Sequence, residues 1–213
     1  MSEAGDTDFE LLEAWRAGDD RAGRELFARH FDSIYRFFRS KIEDAAEDLT
    51  QQTFMGAVKG RERYRGDASF RTYLYTIARN RLYTHIRDRQ RRDAVVEIGQ
   101  RSVADLGLAS PTKQLAAREE HKLLLAAMRH LPIEMQVALE LHYWEGLSVR
   151  EIAIVIDTPE GTIKRRLQRA RQRLDELITQ LAESDALRHS TQANFDQWAE
   201  DLRAKLNPHA EES

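Results

Sequence analysis

Apolar residues recur three and four positions apart along most of the chain, which is the signature of amphipathic helices. Asp8–Gly18 carries Phe9, Leu11, Leu12 and Trp15 on one stripe and stops at a glycine. Asp20–Lys41 repeats the pattern with Ala22, Leu26, Phe27, Phe31, Ile34, Tyr35 and Phe38, whose aromatics are assigned to a core. A third helix begins near Asp44. It turns Ala46, Leu49, Thr53, Ala57 and Val58 inward and leaves Asp48, Gln51, Gln52 and Met55 on a more exposed face. Arg61–Ser69, punctuated by Gly66-Asp67, reads as a loop. Phe70–Arg92 follows as a long helix whose seam is Phe70, Leu74, Ile77, Ala78, Leu82 and Ile86. Asp93–Glu119 loses the rhythm and mixes Gly, Ser and Pro111, so it reads as a linker between two helical domains. Glu120–His130 is amphipathic again, and a further helix opens at Leu131-Pro132 and closes at Gly146.

The pattern is sharpest over Leu147–Arg173. Ser148 and Glu151 form a capping box, and Ile152, Ala153, Val155 and Ile156 make the apolar side of a short helix. Asp157 and Thr158 turn the chain. Thr158 is predicted to cap the next helix, with Pro159 in its first position and Glu160 matching its positive end. In that helix Ile163, Leu167, Ala170 and Leu174 face inward, and the helix continues to Leu181. The other side shows Thr162, Arg165, Gln168, Arg169 and Gln172, flanked by Lys164, Arg166, Arg171 and Arg173, with no acid between Lys164 and Arg173. An apolar back, an amide and guanidinium front and phosphate-reaching cations describe a recognition helix in a helix–turn–helix. A solvated basic helix is the bland alternative; the capped frame in front of it favours nucleic acid. Beyond it, Ala182–Ser213 is a tail in which Phe195, Trp198, Leu202 and Leu206 predict one short amphipathic helix, packed on its own domain or on a partner.

Composition narrows the class. Gly (10) and Pro (4) are sparse in 213 residues, hydrophobic residues make up 41%, and an all-α fold of two small domains follows. Net charge is only −3, so charge acts through its segregation: the start is acidic (Glu3, Asp6, Asp8, Glu10, Glu13) and two later stretches are basic. With no cysteine, a disulfide framework and a thiolate metal site are excluded, and the seven histidines lack ligand spacing. No metal or other cofactor is expected. No apolar run reaches membrane-span length and the start lacks a signal-type apolar region, so a cytoplasmic protein without membrane insertion is expected.

The earlier of the two basic stretches changes the picture most. Arginines stand at 61, 63, 65, 71, 79, 81, 87, 89, 91 and 92 against Glu62, Asp67 and Asp88, with Tyr73, Tyr75, Tyr83 and Asn80 interleaved. Rings that stack on bases beside cations that track the backbone suit single-stranded or unstacked nucleic acid. A solvated helix with core tyrosines fits the same periodicity.

Three segments, AEDLTQQTF (Ala46–Phe54), FRTYLYTIARNRLYTHIR (Phe70–Arg87) and LPIEMQVALELHYWEGLSVREIAIVIDTPEGTIKRRLQRAR (Leu131–Arg171), together resemble the sigma-70 family of bacterial RNA polymerase sigma factors, in its extracytoplasmic-function type. The resemblance runs from about Asp8 to about Ile178 and implies a region 2 helical bundle over 1–94, a linker over 95–119, a region 4 helix–turn–helix domain over 120–181 and an extension over 182–213. It implies that Asp48, Gln51, Gln52 and Phe54 dock on the β′ clamp coiled coil of core RNA polymerase, with the β flap as a second contact. Arg65, Asp67, Tyr73, Tyr75, Arg79, Asn80, Tyr83 and Arg87 would open and read the −10 element, where a base leaves the stack for a pocket. Thr162, Lys164, Arg165, Arg166, Gln168, Arg169, Arg171 and Arg173 would read the −35 element, and the linker would thread toward the RNA exit path. Promoter DNA and an anti-sigma factor are the further partners implied. The sequence departs from the family pattern at Tyr73 (usually Trp), Thr84 (commonly Asp), Asp157 (usually Gly) and Arg165 (commonly small), which bears on promoter sequence.

Two other functions compete. A stand-alone helix–turn–helix regulator explains Leu147–Arg173 but leaves AEDLTQQTF and the Asn80 helix without a use. An enzyme acting on nucleic acid would need a phosphate-cradling glycine loop, a metal-spaced carboxylate set or a nucleophile constellation, and the sequence has none. No catalytic residue is expected.

Overall fold

In the computed structural model, residues 3–93, 113–197, 199 and 200 are described, and the chain divides into two compact units. The first is built by α1 (Glu3–Arg16), α2 (Asp20–Arg39), α3 (Ala46–Gly60) and α4 (Phe70–Asp93), with a 3-10 turn at Glu43–Ala45 before α3. Asp19 caps α2 by accepting from the Arg21 amide at 2.8 Å, and Gly18 supplies the left-handed residue that ends the α1 turn (φ 104). Leu12, Leu26, Ile34, Phe38, Leu74 and Leu82 are fully buried and form the centre of this unit. α3 contributes Ala46, Leu49, Thr53 and Ala57 as read from the sequence, and the two threonines return their hydroxyls to Ala46-to-Leu49 backbone: Thr50 to the Ala46 carbonyl and Thr53 to that of Leu49. Gly23 lets α1 and α2 approach closely, because a Cβ there would lie 2.6 Å from the Trp15 indole.

One aromatic assigned to the core, Phe31, and one on the first stripe, Phe9, lie outside the core. Phe9 is 53% exposed and Phe31 48%. Phe31 instead spreads over the rings of Tyr35 and Phe54 near the surface. The buried face of a helix is an arc, and an aromatic at the edge of its stripe stays in water.

The second unit contains α5 (Lys113–Arg129), α6 (Ile133–Leu139) continuing into a π turn (Glu140–Trp144), α8 (Glu160–Leu181) and α9 (Asp185–Ala193). α5 starts at Lys113, inside the stretch read as linker. Leu123, Leu124, Ala127, Met128, Leu139, Trp144, Ala170, Leu174 and Ile178 form its core. The wide turn aims both Leu141 and Trp144 inward, and Gly146 (φ 64) ends it. α9, capped by Ser184 on the Leu187 amide at 3.2 Å, precedes the predicted amphipathic stripe rather than coinciding with it. Phe195 and Ala199 join the core, which places this part of the tail on its own domain. Leu202 and Leu206, and the side chain of Trp198, lie outside the described residues. Among the described residues there is no strand, and no helix is long and apolar enough to cross a membrane.

Candidate nucleic-acid interface

α7 (Val149–Ile156) and α8 are joined by three residues. The capping box is complete: Ser148 Oγ accepts from the Glu151 amide at 3.2 Å, and the Glu151 carboxylate accepts from the Ser148 amide at 2.8 Å and its hydroxyl at 2.7 Å. The turn is closed by the Thr158 amide donating to the Ala153 carbonyl at 3.0 Å. That closure puts Asp157 at φ 54, the one non-glycine left-handed residue among the described residues. The cap of α8 differs from the sequence reading. Pro159, not Thr158, holds the cap position, with extended backbone (φ −57, ψ 143) and no side-chain cap bond. Its carbonyl takes the Thr162 and Ile163 amides at 2.9 and 3.1 Å, which closes the first turn.

With Ile163, Ala170, Leu174, Leu177 and Ile178 buried, helix geometry fixes what α8 shows to water. Thr162, Lys164, Arg165, Gln168 and Arg169 are exposed, and the last two arginines and Lys164 make no ion pair among the described residues. The remaining three cations are engaged. Arg166 meets Glu134 at 3.3 Å, and Arg173 meets Glu176 at 2.6 Å. Arg171 is the most enclosed by partners: its guanidinium sits 3.6 Å from the Phe195 ring centroid, 3.3 Å from Asp196 and 3.8 Å from Asp175. Sequence reading placed all three toward phosphates. For Arg171 the structure corrects this, since the tail lies across it; for Arg166 and Arg173 a local acid competes with any phosphate.

In the first unit the interleaved residues separate into three groups. Tyr73 belongs to a ring cluster at the start of α4, 4.8 Å from Tyr64 and 6.1 Å from Phe70. Its hydroxyl closes over the end of α3 at Gly60, where an added Cβ would lie 2.2 Å away and the Tyr73 ring would have to shift. Arg79, Asn80 and Tyr83 form a second group, with the Arg79 guanidinium donating to Asn80 Oδ1 at 2.9 Å and lying 4.7 Å over the Tyr83 ring. Arg87 stands exposed beyond them. Tyr75 is a correction. It is fully buried and packs edge-on against Phe37 at 5.6 Å, because α4 is covered by both α2 and α3 and its buried arc is wide enough to take the residue after Leu74. It cannot stack on a base.

The loop before α4 exposes Arg65 and Asp67, with Gly66 at φ 78 between them. Arg16, at the end of α1, holds it: Nε and Nη2 donate to the Arg61 carbonyl at 3.0 and 2.6 Å, and Nη2 also donates to the Tyr64 carbonyl. Nothing in the local sequence pattern singled out Arg16. Tyr64 donates its hydroxyl to the Ala68 carbonyl, and burial pushes its pKa up to about 12, against the opposing pull of Arg16, so the phenol remains a donor. Tyr73 is shifted upward by burial in the same way.

On α3, Asp48 and Gln51 are exposed, Gln52 is half-buried and donates to Asp48 at 2.8 Å, and Met55 is 49% exposed beside them. Phe54, placed with these by the sequence reading, is 7% exposed and rests on Phe27 and Phe31. It supports the face from behind, and Met55 is the apolar residue that the face shows.

Comparison with known proteins separates the same two units. Residues 26–92 match the family described as Sigma-70 region 2, and residues 121–174 match Sigma-70, region 4. The RNA polymerase sigma-H factor of Pseudomonas aeruginosa is 31% identical over 185 residues, 82% of this chain and 95% of that one. The ECF RNA polymerase sigma-E factor of Escherichia coli K12 is 28% identical over 183 residues, 82% of this chain and 96% of that one. Among solved structures, the sigma factor RpoE in complex with the anti-sigma factor NepR from Bartonella quintana superposes with a TM-score of 0.63 at 27% identity, covering 73% of this chain and 96% of that one. CnrH in complex with the cytosolic domain of CnrY gives a TM-score of 0.62 at 25% identity, covering 83% and 99%.

Proposed function

The chain belongs to the sigma-70 family of RNA polymerase sigma factors, in its extracytoplasmic-function type, and from that premise we propose how its surfaces divide the work of promoter recognition. It acts in promoter-specific transcription initiation with RNA polymerase and is not an enzyme. The observation that carries the division is the exposed set on α8: one face bears Thr162, Lys164, Arg165, Gln168 and Arg169 on a helix whose back is fully packed. A rigid helix with an amide and guanidinium front suits the major groove of a −35 element. Arg165 and Gln168 are the base readers in this reading; Lys164 and Arg169 meet phosphates.

The loop 61–69 and the Arg79, Asn80 and Tyr83 group suit an opened −10 strand, with Tyr73 as the ring beside the loop. Asp48, Gln51, Gln52 and Met55 form the docking face for core polymerase. The linker then ends by Lys113, and the region 4 domain runs from there through Ala199, because α9 and Phe195 complete its core. An anti-sigma factor is the second protein partner, and the cytoplasm is the site of action.

The test is transcription by purified core polymerase from a pool of promoter variants, with and without this protein. Initiation from one defined −35 and −10 pair supports the reading and reads out the target sequence. Duplex binding with core polymerase still blind to promoters would favour a regulator built on the same fold.

A further inference from the structure

A nine-residue connection between two helices normally samples many backbones, and an exposed loop that must seize one base needs a single one. The 61–69 loop has little of its own to hold it. After the Arg63 and Tyr64 amides close onto the Gly60 carbonyl, at 2.9 and 3.1 Å, helical geometry ends and the loop's carbonyls need other partners. Two of those carbonyls, Arg61 and Tyr64, are taken by the single guanidinium of Arg16, from a helix far away in sequence. A planar fork with donors at fixed angles can grip two acceptors at once, which an ammonium on a flexible stem does not reproduce. The fork is itself oriented. Glu13 accepts from Arg16 Nη1 at 2.5 Å, and the Tyr64 ring lies 5.8 Å beneath the guanidinium carbon.

The far end of the loop is tied as firmly. The Tyr64 hydroxyl donates to the Ala68 carbonyl, and Ser69 caps α4 through the Thr72 amide at 3.1 Å. Between these ties only the segment from Arg65 to Asp67 stands free, beside the ring cluster of Tyr64, Phe70 and Tyr73. Arg16 lies outside the matched region 2 span, and its charge is answered by Glu13, so long-range attraction of DNA is a poor account of its presence.

We infer that Arg16 is the positioning residue of the −10 loop: it fixes the backbone that presents Arg65 and Asp67 beside the Tyr64–Tyr73 rings, so that an unstacked base meets a preformed pocket. This rests on the proposal that the loop captures a −10 base.

Holoenzyme assembled from core polymerase and the full chain, wild type or Arg16→Lys or Arg16→Ala, is titrated with the non-template −10 strand, intact or with one base removed at each position in turn. In the wild type, one position should stand out as the base whose removal weakens binding. In Arg16→Lys the intact strand should bind about tenfold more weakly while the strand lacking that base binds as before, because a disordered loop loses preorganisation and not charge. Arg16→Ala should do the same, and the melting midpoint of both proteins should stay close to wild type. An unchanged penalty for base removal in both variants overturns the inference, as does an equal loss for intact and base-less strands together with a lowered melting midpoint. If the wild type shows no base dependence at any position, the −10 reading of the loop falls first, and the inference with it.

Discussion

The two surfaces proposed for DNA are positioned by different physics. On α8 the working residues sit on one rigid helix whose opposite side is locked by Ile163, Ala170, Leu174, Leu177 and Ile178. Their direction follows from a period of 3.6 residues, and losing any one of them leaves the others in place. In the first unit the working residues are split between a loop and two groups on α4, and the loop's shape is imposed by Arg16 from another helix. A helix face suits duplex DNA, whose shape is known in advance. A braced loop suits a base that has left its stack, since the pocket must exist before the base arrives.

The largest test of that contrast lies behind α8. Its back is completed by the tail, where Phe195 is 2% exposed and lies against Tyr143 and Arg171. Phe195→Ala should cost about 3–5 kcal/mol of stability in the second unit, as is usual for a buried phenylalanine. Denaturant unfolding of the full chain should show the second unit's midpoint falling while the first unit's stays. An unmoved midpoint would mean that the tail is an accessory and that α8 is rigid without it.

The same contrast governs how much could be read beforehand. Both ends of α2, α3 and α4, the Ser148–Glu151 box, the turn at Asp157 and the length of α8 were legible, because each depends on residues within a few positions of one another. Phe54 was placed by the resemblance, against a spacing that already put Met55 on the exposed face; Tyr75 was misplaced by the pattern itself. Periodicity gives the centre of a buried face but not its width, and α4 is covered from two sides. Arg16 on the loop and Phe195 on Arg171 were invisible because both contacts join segments far apart in the chain. The start of α5 was missed because the apolar residues of Lys113–Glu119, Leu115, Ala116 and Ala117, are consecutive rather than three or four apart.

Smaller effects should sort the cations of α8. Arg165→Ala and Gln168→Ala should each lose about 1–3 kcal/mol of discrimination at one −35 position, measured as relative affinity over a set of base substitutions. An equal loss on every sequence would reassign the residue to the backbone. Lys164→Ala and Arg169→Ala should weaken all sequences alike and reduce the salt slope of binding by about 1 each. Arg171→Ala should leave that slope unchanged, since Asp175, Asp196 and Phe195 already hold its guanidinium. A slope lowered by Arg171→Ala would show that the tail releases this arginine when DNA binds.

The smallest expected effect concerns the joint between α7 and α8. Asp157 adopts φ 54 because the Thr158 amide must turn back to the Ala153 carbonyl, and no side-chain bond of Asp157 offsets that geometry among the described residues. Glycine enters the left-handed region without a Cβ penalty but surrenders more backbone freedom on folding. The two terms oppose each other, so Asp157→Gly should stabilise the second unit by only about 0.5–1 kcal/mol. The midpoint of denaturant unfolding reads this directly, and −35 affinity should not move, since α8 keeps its direction. Stabilisation with unchanged affinity would confirm that the turn only connects two rigid pieces. A loss of −35 affinity would show instead that this joint, like the loop held by Arg16, sets the position of the residues it precedes.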